Sequence, residues 1–188
     1  MIIRWYRLLA PILLIVAIIG SFEIPRRNLR STSQVAGMAM DWEGEQIKTT
    51  FELYVPSADA PFGSKRKTVV GSGNTLEECI ENVSLTHGEF LFVNDASALI
   101  ISSNHHTDLL REALSYFSLL KNDHMDLPVF FAFGQKASAV FEGEGAVIST
   151  ELAASAKHLN RIQTVKNLMN GVGKRVLIRG EGSYEIIS

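Results

Sequence analysis

Two continuous apolar runs constrain this chain most. "ASALIISS", Ala96 to Ser103, and "VFFAFG", Val129 to Gly134, carry no polar alternation over their centres. A strand with one wet face alternates apolar and polar residues; a run apolar on both faces reads as a strand buried between two layers. Each therefore predicts a central strand that needs cover on both sides. Between them, Leu109, Leu110, Ala113, Leu114, Phe117 and Leu120 recur at helical spacing, which predicts a helix over 108–120 capped by Thr107.

The rest of the body supplies partners for these strands. "IKTTFELYV" alternates, with Ile47, Thr49, Phe51, Leu53 and Val55 on one face and Lys48, Thr50, Glu52 and Tyr54 on the other. That pattern predicts a half-buried strand. The turn Asp41 to Gln46, with Gly44, joins it to a strand over 35–40 as a hairpin. Pro56 to Lys67 reads as a loop carrying a basic cluster, Lys65, Arg66 and Lys67, and 68–71 as a further strand. Thr75 and Glu78 have the spacing of a capping box ahead of Leu76, Cys79, Ile80 and Val83, with Gly88 as the stop. A short helix is expected over 136–141 and a longer one over 151–169, with Leu152, Ala156, Leu159, Ile162, Val165 and Met169 on its stripe. "KRVLIRG" and "YEII" are terminal strand candidates. Strands and helices intermix, so the expected class is α/β (α+β): a mixed sheet packed by about three helices.

The N-terminus is of another kind. Leu8 to Phe22 is apolar or small throughout, behind Trp5 and Tyr6. Its length lies between the apolar centre of a signal peptide and a full membrane span. No Ala-x-Ala site precedes Ser21, so a retained membrane helix over 1–22 is the expectation, followed by a linker over 23–34 and a folded domain over 35–188. Residues 1–30 hold Arg4, Arg7, Arg26, Arg27 and Arg30 against Glu23, whereas the remainder holds thirteen basic and nineteen acidic side chains. A basic flank on an acidic body suits a domain tethered to an anionic membrane and argues against nucleic-acid binding.

The residues that could carry chemistry are few. Cys79 is the one cysteine, which excludes an internal disulfide and a cysteine-based zinc site; it falls on an apolar helix stripe and reads as core. His105, His106 and Asp108 are the closest approach to a ligand group, but adjacent side chains diverge and the site precedes a helix. His124 with Asp123 and Asp126 falls in a loop, and His87 and His158 read as helix-surface or helix-end residues. Glu142 and Glu144 lie in a glycine-spaced turn. The glycines of "GSG", Gly71 to Gly73, precede a helix without the lysine of a phosphate loop and without the spacing of a nucleophile elbow. The expectation is no catalytic residue, no metal and no cofactor: a protein that is not an enzyme.

The order of these motifs resembles the N-terminal domain of the Ger(x)C-type spore germination lipoproteins, the C subunits of Ger nutrient receptors. Gly20-Ser21-Phe22-Glu23 follows that family's lipobox context, with Ser21 where the lipidated cysteine stands. "VAGMAMD" ends on Asp41. Gly73-Asn74-Thr75 opens a helix, Leu91-Phe92 precedes an apolar strand, Asp123 is followed by Pro128, and Lys136-Ala137 opens a short helix. The resemblance implies a membrane-attached, extracytoplasmic subunit at the spore inner membrane, assembled with a multi-pass membrane protein and a larger receptor subunit. Serine forms no thioether to a lipid, so the apolar segment itself is expected to anchor the chain. Members of that family continue into further domains where this sequence ends at Ser188, which reads as a stand-alone paralogue or a degenerate copy. The alternative from the residues alone is an envelope scaffold that assembles edge to edge through "ALII" and the hairpin.

Overall fold

This computed structural model describes residues 32–56, 64–120, 126–142, 148–158, 164, 165, 168, 177–179 and 185–187. The expected membrane helix over 1–22 and most of the linker lie outside them. So do the loop containing Asp123 and His124, and Glu144. Among the described residues no helix is long and apolar enough to cross a membrane.

Strand β1 (Thr32–Glu43) and β2 (Gln46–Pro56) form the expected hairpin, paired from Glu43↔Gln46 down to Val35↔Leu53 with a bulge between Val35 and Gly37. Gly44 turns it at φ 65, a left-handed conformation that suits glycine. Strand β1 begins three residues before the strand expected from Val35, because Thr32–Gln34 pair with a short parallel strand, β4 (Phe90–Phe92). Strand β3 (Ser64–Gly73) extends the hairpin antiparallel to β2. It corrects one expectation: Lys65, Arg66 and Lys67 are not on a loop but in a strand, opposite Val55, Tyr54 and Leu53.

The two apolar runs become β5 (Ala98–Ser102) and β6 (Val129–Ala132), parallel to β1 and to each other. Strands β7 (Leu177–Arg179) and β8 (Glu185–Ile187) complete a mixed sheet of order β3-β2-β1-β5-β6-β7-β8 among the described residues. Since β5 is bonded by β1 on one side and β6 on the other, "ALII" has no free edge, and the expected edge-to-edge assembly through it is not available. The described sheet ends instead at β3, whose basic residues discourage further pairing, and at β8.

Helices α1 (Leu76–His87) and α2 (His106–Leu119) cover one face of the sheet; α3 (Ile148–His158) and a 3-10 turn, Ala137–Phe141, cover the other. This two-sided cover is what the continuous runs demanded. Leu99, Ile101, Val129 and Phe131 face the α1/α2 layer with Phe51 and Phe117, while Ile100, Phe130 and Ala132 face Val140, Phe141 and Leu152. It also corrects the half-buried reading of β2, because Thr50 and Glu52 on its supposedly wet face are buried.

The Thr75 cap forms as expected, with the Glu78 amide donating to Thr75 Oγ1 at 3.1 Å, but Glu78 Oε2 accepts from the Asn74 amide at 2.7 Å, one residue before the cap. The glycines before it have a packing role. A Cβ on Gly71 would lie 2.1 Å from the Cys79 carbonyl oxygen, and one on Gly73 2.5 Å from Glu78 Cβ. Helix α1 thus rests directly on β3 backbone, and Cys79 is buried beneath it, where desolvation pushes its thiol pKa up. Helix α2 departs from expectation at its start. His105, at φ 58, occupies the cap position without a side-chain cap bond, and Thr107 lies inside the helix.

Candidate interaction surface at the carboxyl ends of the parallel strands

In sheets with parallel strands, ligand sites collect beyond the carboxyl ends of those strands, where loops of different strands converge. Here β1, β5 and β6 end together. At that level stand Trp42 and Glu43, the last residues of β1, then His105 and His106 at the start of α2, then Phe133 and Lys136 after β6. The arrangement rests on Asp41. Its buried carboxylate accepts from the amides of Ala137 at 2.6 Å and Ser138 at 2.9 Å, capping the 3-10 turn that follows β6. A carboxylate at exposed amides of a turn start is a charge-assisted cap, and it fixes the β6 loop on the end of β1.

Around this lock the side chains are solvent-facing. Lys48 and Lys136 donate to the two oxygens of Glu43 at 2.7 and 2.9 Å. These bonds, Lys48 first, hold the Glu43 carboxyl pKa down at about 2, and Glu43 raises that of Lys136. Trp42 donates its indole N–H to the Gly44 carbonyl at 3.0 Å, and its ring lies 5.7 Å from that of His105, tilted by 31°. Phe133 is exposed, and Gly134 turns the chain at φ 75. Non-glycine residues at positive φ are uncommon and often mark functional turns; His105 is the described example here. The chemistry offered is recognition: aromatic rings and a bridged cation at one rim.

The histidine–aspartate group does not converge. His105 stacks toward Trp42. His106 places Nδ1 3.1 Å from the Ser103 carbonyl and its ring edge-on to Phe131, at 6.3 Å. Asp108 accepts from Arg111 at 3.2 Å. No group of three or more metal-ligating side chains gathers among the described residues. His87 closes α1, Asp126 is exposed ahead of β6, and Glu142 is exposed with its carbonyl accepting from Arg66 at 3.4 Å. His158 ends α3.

On the same sheet face, Glu52 does for α3 what Asp41 does for the 3-10 turn. It is fully buried and accepts from the amides of Ile148 at 2.8 Å and Ser149 at 2.9 Å, with the Arg66 guanidinium 4.0 Å away. Sequence reasoning missed both carboxylates. An acid in an alternating strand reads as solvated unless a helix start is known to lie over it. For Asp41 the signal existed in the paired occurrence of a strand ending in Asp and a Lys-Ala turn.

That pairing bears on kinship, because the structure brings Asp41 and Lys136-Ala137 into direct contact. Residues 25–165 match the family model described as the spore germination protein N-terminal domain. The chain belongs to that family. The matched span runs from the linker through β1 to β6 and α3 and includes both carboxylate caps; β7 and β8 follow it. Neither the curated proteins nor the solved structures hold a match.

Proposed function

We propose that this chain is a non-enzymatic, membrane-tethered subunit of a spore germination nutrient receptor, or a close relative of one, acting on the extracytoplasmic face of the spore inner membrane. The observation that carries this reading is the family match across residues 25–165. Two further points support it. The apolar segment Leu8–Phe22, flanked by arginines, supplies an anchor where Ser21 removes the lipid attachment. The buried acids Asp41 and Glu52, which would be the natural candidates for proton transfer, are spent on backbone amides.

The partners are a multi-pass membrane subunit and a larger receptor subunit, met through the rim of Trp42, His105 and Phe133. Affinity capture of the tagged full-length chain from detergent-solubilised spore membranes tests this. Recovery of a multi-pass subunit, lost on Trp42→Ala with Phe133→Ala, is the expected result. Capture of the chain alone, or recovery unaffected by those changes, contradicts the assignment. The anchor is tested separately by intact mass: the full-length chain is expected in the membrane fraction, and an N-terminus at Ser21 contradicts a retained helix.

A further inference from the structure

The described sheet ends at β3 and β8, and the two edges differ: β3 is 10 residues long and β8 has 3. The register of β3 with β2 runs unbroken from Gly73↔Ile47 to Ser64↔Pro56, so no bulge bends this edge away. Along such a strand the backbone groups alternate between the paired side and the open side. Asn82 on α1 marks the phase, because its side-chain amide donates to the Ser72 carbonyl at 3.0 Å. Pro56, which has no N–H, lies opposite Ser64 in the same phase. Val70 and Thr68, two and four residues before Ser72, therefore direct their N–H and C=O groups outward. Among the described residues no strand lies beyond β3 to take them up.

The side chains say what kind of strand fits. Edges are commonly blunted by charge, proline or a bulge. Lys65, Arg66 and Lys67 charge the first half of β3, but the second half begins Thr68-Val69-Val70, three β-branched residues that favour a strand. Val69 is buried toward α1, whereas Thr68 and Val70 are exposed, Val70 by 45 %. Side chains alternate, so Lys65 and Lys67 share the α1 side with Val69, and Thr68 and Val70 lie on the other. Lys67 is 3.3 Å from Glu89 and Arg66 4.0 Å from the buried Glu52, while Lys65 has no ion pair among the described residues. A second copy of β3, paired antiparallel about Thr68, would bring the lysines of both copies onto one face, where they repel. A strand with acids on that face and apolar residues on the other complements it.

We infer that the open edge of β3 takes up an extended acidic segment of a partner protein as an added antiparallel strand over 65–70, with a carboxylate facing Lys65 and an apolar side chain facing Val70. Main-chain hydrogen bonds to Thr68 and Val70 supply affinity, and the alternating side chains supply selectivity. This site is separate from the Trp42 rim, since β2 lies between β3 and β1.

The test uses the full-length chain in non-ionic detergent and a short, capped, labelled peptide alternating glutamate and valine, with binding read as fluorescence anisotropy. The peptide is expected to bind. Methylating its valine nitrogens, which face β3 in the added strand, should weaken binding about tenfold, the worth of one or two backbone hydrogen bonds. A peptide with lysine for glutamate should also bind more weakly. Val70→Pro removes one outward N–H and spares the ladder with β2, because proline is tolerated on the open side of an edge strand, and it should weaken binding by a similar factor. If that protein fails to fold, the methylated peptide puts the same question to the unaltered chain. Failure of the glutamate–valine peptide to bind overturns the inference. So does binding that is unchanged by methylation or by Val70→Pro in the folded protein. Equal binding of the lysine peptide overturns the acidic preference. Amides of Thr68 and Val70 already protected from hydrogen exchange without peptide would mean that a second copy or another segment of this chain covers the edge, which also overturns it.

Discussion

The two ends of β1 are built in opposite ways. At its carboxyl end, polar groups lock neighbouring elements: Asp41 caps the 3-10 turn and Glu43 bridges Lys48 and Lys136. At its amino end, Phe90 and Phe92 lie on a three-residue strand and are largely exposed, beside the Lys67–Glu89 ion pair and the Ser33–Glu89 and Gln34–Asp95 hydrogen bonds. The first end is organised by bonds internal to the domain. The second leaves aromatic area exposed. The difference shows where stability resides: the buried carboxylate at one end is costly to remove, whereas the exposed side chains at the other can be altered at little cost.

The largest effect tests whether buried carboxylates hold the far sheet face. Glu52→Ala removes the acceptor of two α3 amides and the carboxylate 4.0 Å from the Arg66 guanidinium. A loss of about 3–5 kcal/mol is expected from breaking a buried ion pair, read as the midpoint of chemical denaturation. Asp41→Ala, at the carboxyl end, orphans two amides and is expected to cost about 2–3 kcal/mol, with Asp41→Asn recovering part of it.

Smaller changes sharpen the contrast. Phe90→Ser with Phe92→Ser should shift stability by no more than about 0.5 kcal/mol, since exposed side chains contribute little to the core. A large stability loss there would erase the distinction between the two ends. The smallest effect concerns Glu43. Its pKa in the folded chain, about 2, lies below the ordinary 4.5, so any stabilisation from its lysine bridges is present above pH 4.5 and fades as pH falls toward 2. An NMR titration of the Glu43 carboxyl should therefore show a midpoint near 2, moving up when Lys48 is changed to Met.

Much of this fold was legible because period and burial are written in the residues. "ALII" and "VFFA" had to be covered on both faces, and they are. The Thr75 cap, the Gly44 turn and the alternation along β2 follow from local chemistry alone. What escaped required knowledge of distant partners. Lys65–Lys67 looked like loop charge because Pro56 and the glycine and proline after it signal a turn, but β2 extends far enough to pair with them. Glu52 looked solvated because nothing local announces the start of α3 above it. His105 took the cap position in place of Thr107, although Thr107 is the better capping side chain, because the chain turns through the left-handed conformation one step earlier. The candidate rim was the least legible part. Its members come from the end of β1 and the segments after β5 and β6, and only the parallel arrangement of those strands puts them side by side.

The central claim is that this domain serves nutrient-triggered germination. Spores lacking the chain, compared with spores carrying it restored, measure this directly as the fall in optical density after each nutrient is added. The account predicts slowed or absent germination with at least one nutrient, restored by the wild-type chain and not by the Asp41→Ala variant. Normal germination with every nutrient tested would contradict it.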